Sequence, residues 1–247
     1  MEIIGGKENM RAREAFEIGA RHQLEHPIVE LGPCTSYSLA QDPKHMSFVL
    51  SRYKFVAKML AGKKKVLEVG AGDGFGLPIV AQAVEWVDTV DWDQAYVDSI
   101  NKRLIEPGWV KNATSKLLDI NKTGLPPDTY DALYCIDVVE HFDPYEEYKL
   151  MSNMVGALKK SGVMIIGIPN KEAGHLASKV SDVQHINMKS AEELRYLLET
   201  YFDNVFIFGM NDEVLHTGYF SMCHYLWGIG SGLYKYRSTT EDIFYDC

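Results

Sequence analysis

The chain has 247 residues, 46% of them apolar, with a formal net charge of -9 at pH 7. That length buries a sizeable core in one α/β domain extended at both ends, while the acidic balance argues against partners that need a basic stripe, nucleic acid and anionic membrane surfaces among them. The densest basic run, Lys63-Lys64-Lys65, reads as a solvated turn.

In chain order, apolar residues recur at helical spacing from about Arg11 to Leu24 and again from His45 to Leu60, the latter through Phe48, Val49, Phe55, Val56, Met59 and Leu60. Between them Gly32 to Ser38 reads as irregular chain, so residues 1–62 form a helical extension ahead of a domain at 63–247. Val66-Leu67-Glu68-Val69 is a short apolar strand that runs into Gly70, Gly72 and Gly74. Glycines at alternate positions mark a tight turn where backbone passes close to a ligand. Leu77, Ile79, Val80, Ala81 and Val84 then follow helical spacing, so the turn opens a helix whose free N–H groups face whatever sits on the loop.

A dinucleotide fingerprint requires a small residue where this chain has Phe75, counted from Gly70, or Leu77, counted from Gly72. Phe75 counts strongly against a nicotinamide-dependent oxidoreductase. Val87 to Asp91 forms a second strand ending in a carboxylate 21 residues past Gly70, near the offset at which an acid takes both ribose hydroxyls. The alternative has Asp91 capping a helix from Gln94 to Ile105. Trp92 follows, either as a flat cover for a base or as packing. A third strand leads through Leu117 and Leu118 to Asp119 and Ile120, and a fourth through Tyr130 to Ile136 into Asp137-Val138-Val139-Glu140-His141-Phe142.

Lys159 to Gly162 reads as a turn before a fifth strand, Val163 to Asn170. About twenty residues without periodicity come next, holding His175 and His185, and a stretch that long inside a domain is commonly functional. Ser190-Ala191-Glu192-Glu193 is a capping box opening a helix with Leu194, Leu197 and Leu198. Val205 to Phe208 and Phe220 to Leu226 read as two last strands, separated by a polar segment with Asn211, Asp212, Glu213 and His216. The tail from Ser238 to Cys247 is acidic.

The four motifs between residues 66 and 142 resemble, in order, those of class I S-adenosylmethionine-dependent methyltransferases, and the Tyr130–Phe142 stretch is similar to their segment at the fourth strand. The broad group resembled includes ubiquinone-biosynthesis O-methyltransferases and small enzymes of surface-glycan gene clusters. Ser161 and Val163 replace the proline and glycine usual in the family's turn before its fifth strand. The resemblance implies a Rossmann-like, seven-stranded, mostly parallel sheet with an antiparallel C-terminal hairpin, and S-adenosylmethionine as cofactor. It implies that Gly70, Gly72 and Gly74 wrap the methionine part, that Glu68 meets its ammonium, and that Asp91 grips the ribose. Trp92, Asp119 and the Ile120 N–H are expected at the adenine, and Asp137 at the ammonium or beside His141. In this fold an extension commonly lies over the cofactor, which makes Tyr37 and His45 candidates to reach the pocket, with packing of the extension as the alternative.

A methylsulfonium needs only an aligned nucleophile and a base. His141 is the first candidate base, since imidazole titrates near working pH and this one follows the fourth strand; capping the next turn is its bland alternative. His185 is the second, and Asn170 is a candidate acceptor ligand. Asp137, Glu140 and His141 are also a candidate cation set, as proposed for some ubiquinone-pathway relatives, yet without an H-E-x-x-H cluster no metal is expected. The acceptor is expected to be a small polar metabolite, a sugar derivative for instance, methylated on oxygen. N-methylation and a silent cofactor-binding subunit are the alternatives. Four scattered cysteines suggest neither zinc nor disulfides, and with no basic-then-apolar leader and no apolar run of ~20 residues a cytoplasmic protein without membrane spans is expected.

Overall fold

A computed structural model describes residues 11–26, 28–176 and 183–234. The acidic tail with Cys247 and the side chain of His175 lie outside the described residues. By contact the chain divides between Glu30 and Leu31. The first unit contains the expected helix α1 (Ala12–Glu25), braced by an Arg13–Glu17 ion pair at 3.0 Å. No helix among the described residues is long and apolar enough to cross a membrane.

The second unit is built on one sheet. Strands β1 (Lys65–Val69), β2 (Trp86–Asp91), β3 (Ala113–Leu117), β4 (Tyr130–Ile136) and β5 (Leu158–Pro169) are parallel neighbours, followed at one edge by β6 (Phe202–Asn211), β7 (Val214–His216) and β8 (Tyr225–Leu233). The order is β3-β2-β1-β4-β5-β8-β6-β7, with β8 antiparallel to both β5 and β6. The expected α/β architecture is present, with eight strands among the described residues instead of seven, the extra one being β7, which pairs back on β6. Strand order reverses direction between β1 and β4, and in open parallel sheets that switch point leaves a crevice at the carboxyl ends.

Helices cover both faces: α2 (Pro33–Gln41), α3 (His45–Met59), α4 (Leu77–Ala81), α5 (Gln94–Ile100), α6 (Pro144–Ala157) and α7 (Ala191–Glu199). Alternate side chains of a strand point to opposite faces, and the two cores follow that rule. Val66, Ala132 and Tyr134 join Tyr53 and Val56 of α3, Leu60 just past its end, and Leu77 and Val80 of α4 on one side. Leu67, Val69, Leu133 and Cys135 join Leu150, Met151 and Met154 of α6 and Leu194 and Leu198 of α7 on the other. A Cβ on Gly76 would overlap the ring of Tyr53, so this glycine lets α3 lie directly against the start of α4.

Four local expectations are corrected. Gly32 to Ser38 is not irregular: Pro33 opens α2, where proline is tolerated in the first turn, and the reason that helix holds is a partner from another element, described below. The turn expected at Lys159–Gly162 lies within β5, as an irregularity where the register jumps from Tyr130↔Leu158 to Ala132↔Val163. The last strand is not Phe220–Leu226, since Phe220–Met222 is a single 3-10 turn and β8 begins at Tyr225. A Cβ on its Gly228 or Gly230 would crowd Leu198 or Phe202, so their smallness lets α7 and β6 pack close. Finally, β3 ends at Leu117, so Asp119 stands in the loop beyond it.

Candidate functional site

A cavity of about 900 Å³ opens at the carboxyl ends of β1, β2 and β4. Eight of the residues singled out in the sequence line it: Gly70, Gly72, Asp91, Trp92, Asp119, Ile120, Asp137 and His141. Gly72 has φ +53 and nothing within 4 Å of where a Cβ would stand, so bare backbone faces the cavity there. Asp91 is buried, and its oxygens accept from Gly72 N at 2.9 Å and Asp93 N at 3.0 Å. Burial raises its pKa. It does not cap α5, because Asp93 does, accepting from Ala95 N at 2.8 Å. A carboxylate has about four acceptor sites, so Asp91 keeps acceptor capacity beyond its bonds to backbone amides. Trp92 is 73% exposed over the same opening. Asp119 holds Lys122 Nζ at 2.7 Å, and this bond keeps its carboxyl below the ordinary value.

Other expected residues stand elsewhere. Gly74, at φ +75, does not line the cavity; a Cβ there would crowd Ile100, so it serves the packing of α5. Glu68 is buried at the α3 face, not in the cavity wall, because its position on β1 alternates with Leu67 and Val69. Burial pushes its carboxyl up to about 7, against the opposing pull of the Tyr134 and Tyr53 hydroxyls. Tyr37 is exposed and outside the cavity lining, while the half-buried His45 sits near Arg52, its imidazole pushed down by burial and that guanidinium. Asn170 spends its side chain on structure: Nδ2 donates to the carbonyls of Phe220 at 2.7 Å and Cys223 at 2.8 Å, and Oδ1 accepts from Glu172 N. It fastens the chain entering β8 to the end of β5. Asn211 does likewise, donating to Met222 O and accepting from His224 N, and His216 lies beside Cys223.

Two structural roles escaped the sequence. Asp73, inside the glycine turn, accepts from Thr35 N at 2.7 Å and Thr35 Oγ1 at 2.8 Å. It thereby caps the first turn of α2 from across the fold, which places Cys34 on the cavity wall. Arg52 of α3 donates to Asp137 Oδ2 at 2.6 Å and lies 3.9 Å over the Tyr225 ring. Its one sequence signal is a charge between Phe48, Val49, Phe55 and Val56 on the apolar stripe of α3.

Residues 43–201 match the family model described as "Methyltransferase domain". The chain belongs to the class I S-adenosylmethionine-dependent methyltransferases. A "Probable S-adenosylmethionine-dependent methyltransferase" of Mycolicibacterium smegmatis is 26% identical over 149 residues, 60% of this chain and 54% of that protein. One of Mycobacterium tuberculosis is 25% identical over 123 residues, 49% of this chain and 42% of that protein. The chain thus spans about half the length of the curated relatives it matches. Among solved structures, the methyltransferase domain of bacterial CtHen1 superposes with TM-score 0.61 at 18% identity, covering 74% of this chain and 99% of that one. The N-methyltransferase NodS of Bradyrhizobium japonicum, in complex with S-adenosyl-L-homocysteine, gives 0.57 at 13%, covering 79% and 91%. At such identity these two show the fold.

Beside the cavity the methyltransferase gathers both candidate bases. His141 and His185 stack edge to face with ring centroids 5.2 Å apart. His141 lines the cavity, whereas His185 lines a second, open hollow of about 760 Å³ with Lys171, Asn187, Lys189 and Tyr196. His141 Nδ1 sits 3.0 Å from Gln184 O, so donation to that carbonyl leaves Nε2 as the basic nitrogen. Burial and His141 push the His185 imidazole below its ordinary value. Beneath them Glu140 is buried with neither carboxylate oxygen hydrogen-bonded, and burial and the nearby Asp137 hold its carboxyl well above the usual range. Glu140, His141 and His185 each bring a potential ligand atom within 4.8 Å of the others. This group differs in one member from the candidate cation set Asp137, Glu140 and His141, since Asp137 faces Arg52 instead.

Glu68 binds a proton up to about pH 7 when folded and only to about pH 4.5 when unfolded, so its burial costs stability as pH rises through that window. Replacing it by glutamine is expected to improve stability relative to wild type by roughly 2 kcal/mol more at about pH 8 than at about pH 5. Urea unfolding of both proteins at the two pH values checks this, and a pH-independent difference contradicts it.

Proposed function

We propose that this methyltransferase methylates an oxygen of a small polar acceptor, a sugar or sugar derivative for instance, with an imidazole accepting the hydroxyl proton. The observation that carries the reading is the unspent Nε2 of His141 on the wall that also contains Gly72 and Asp91. Residues 63–247 form the catalytic domain and 1–62 its extension. The residues present fit S-adenosylmethionine: bare backbone at Gly72 admits close approach, and the buried Asp91 carboxylate keeps lone pairs for two ribose hydroxyls. Asp119, Ile120 and Trp92 hold the adenine end, and Gly70 and Asp137 border the amino-acid end. The bound cofactor supplies a sulfonium methyl group, transferred as its bond to sulfur breaks and the electron pair stays on sulfur.

The protein's own work is to align the acceptor and remove its proton. His141, oriented through Nδ1, takes that proton from the acceptor hydroxyl as the new oxygen–carbon bond forms. The charges of the second hollow suit an uncharged acceptor, because Lys189 is paired with Glu147 at 2.8 Å and Lys171 with Glu193 at 2.7 Å.

The unpartnered oxygens of Glu140 favour a second reading in which Glu140, His141 and His185 hold a divalent cation that polarises the acceptor oxygen. Two imidazoles with one carboxylate suit manganese, iron, cobalt or zinc better than magnesium or calcium. His141 is then a ligand in place of a free base.

In calorimetry the purified chain is expected to bind S-adenosylhomocysteine, and Asp91→Ala to weaken that binding by about 1–3 kcal/mol through the loss of buried polar partners; unchanged affinity removes Asp91 from the ribose site. With methyl-labelled cofactor and fractionated metabolites, label is expected in an alkali-stable methyl ether. His141→Ala lowers the rate by ~10²–10⁴-fold while S-adenosylhomocysteine affinity holds; a variant that keeps its rate points to an amine acceptor that needs no base. Titration with Mn²⁺ followed by electron paramagnetic resonance separates the second reading from the first: one tight equivalent, lost in Glu140→Gln, supports the cation, and its absence leaves the free imidazole.

A further inference from the structure

We infer that Arg52 is a positioning residue of the cofactor site: from α3 it fixes the Asp137 carboxylate at the rim of the cavity, where that carboxylate receives the ammonium at the amino-acid end of the cofactor. The inference rests on the cofactor placement proposed above and assigns a part of it to a helix outside the sheet.

Asp137 stands at the first residue beyond β4 with φ +55, a conformation that costs a non-glycine residue energy unless its surroundings hold it. Two contacts do so. Its N–H donates to Gly167 O at 3.0 Å, which ties the turn to β5, and its Oδ2 accepts from Arg52 Nη1 at 2.6 Å. Arg52 has little freedom of its own, because its guanidinium lies 3.9 Å over the Tyr225 ring and its side chain is 14% exposed. A planar cation stacked on an aromatic face and bonded to a carboxylate holds that carboxylate in one orientation.

The Asp137 side chain stays 35% exposed and lines the cavity, while its Oδ1, the oxygen that Arg52 does not hold, is buried without a hydrogen-bond partner. The neighbouring residue closes the arrangement: a Cβ on Gly70 would overlap Val138, so the glycine turn and the Asp137 turn touch. With Asp91 at the far side of that contact, the part of the ligand beyond the ribose has to run between Gly70 and Asp137. An ammonium arriving there meets the exposed side of a carboxylate whose Oδ2 already accepts from Arg52 and whose buried Oδ1 has no partner. Losing Arg52 frees the carboxylate to turn and leaves Asp137 without the guanidinium that faces it.

The test compares two nucleosides on the full chain. S-Adenosylhomocysteine carries the amino-acid end, and 5′-methylthioadenosine lacks it. In Arg52→Met, S-adenosylhomocysteine affinity is expected to fall by about tenfold or more while 5′-methylthioadenosine affinity changes by less than about twofold. Arg52→Lys, which keeps the charge without the planar fork, is expected to fall between wild type and Arg52→Met for S-adenosylhomocysteine alone, and it carries the test should Arg52→Met not fold. In a double-mutant cycle with Asp137→Asn the losses are expected to be less than additive. Equal losses for both nucleosides, or no loss for either, overturn the role of Arg52. Failure of the wild-type chain to bind either nucleoside overturns the cofactor placement beneath it.

Discussion

The bond from Gly72 N to Asp91 Oδ2, 2.9 Å long, joins the loop after one strand to the end of the next. A buried carboxylate must be met by donors, and here the donors are amides of the glycine turn and of the chain entering α5. That requirement shapes the turn, and the turn shapes the cavity. Residues on the carboxyl ends of β1, β2 and β4 face one space because parallel pairing puts those ends side by side, Val69 opposite Val90 and Cys135.

Around this centre the protein concentrates acid groups that folding alone would avoid. Glu68, Asp137 and Glu140 are partly or wholly buried near one another, and burial holds Glu68 and Glu140 above their ordinary values. Arg52 is the guanidinium that faces Asp137 directly, and it comes from α3. Hence α2 and α3 do more than cover a face of the sheet. Through Tyr53 against Gly76, Thr35 on Asp73 and Arg52 on Asp137, α2 and α3 support the glycine turn and the β4 turn from outside the sheet. Buried polar groups of this kind cost stability and are kept where a site requires them.

Much was legible in the residues themselves. Glycine spacing and an apolar run predict a strand and a ligand-bearing turn because backbone geometry is local. Asp91 and Asp119 follow short strands, and their places in the cavity follow from parallel order once the motifs are aligned. The capping box at Ser190 forms as written, with Ser190 Oγ and Glu193 exchanging bonds with each other's amides. What failed was decided at a distance. Asn170 looked available for an acceptor, but the amide is consumed by carbonyls some fifty positions away, at Phe220 and Cys223. The last strand was expected at Phe220–Leu226, but β8 runs from Tyr225 to Leu233, where Gly228 leaves room for α7.

Local chemistry, then, was determined by the sequence: which segments become strands, where the backbone can turn left-handed, and which cofactor class suits a turn with Phe75 where a dinucleotide site needs a small residue. Tertiary structure decided which of those groups meet. Glu68 faces α3 instead of the cavity, His185 arrives beside His141 and Glu140 from 44 and 45 positions away, and Arg52 reaches Asp137 across 85. The physical reason is that propensity and spacing act within a few residues, whereas partners for buried charge are chosen by packing between elements, which no local pattern records.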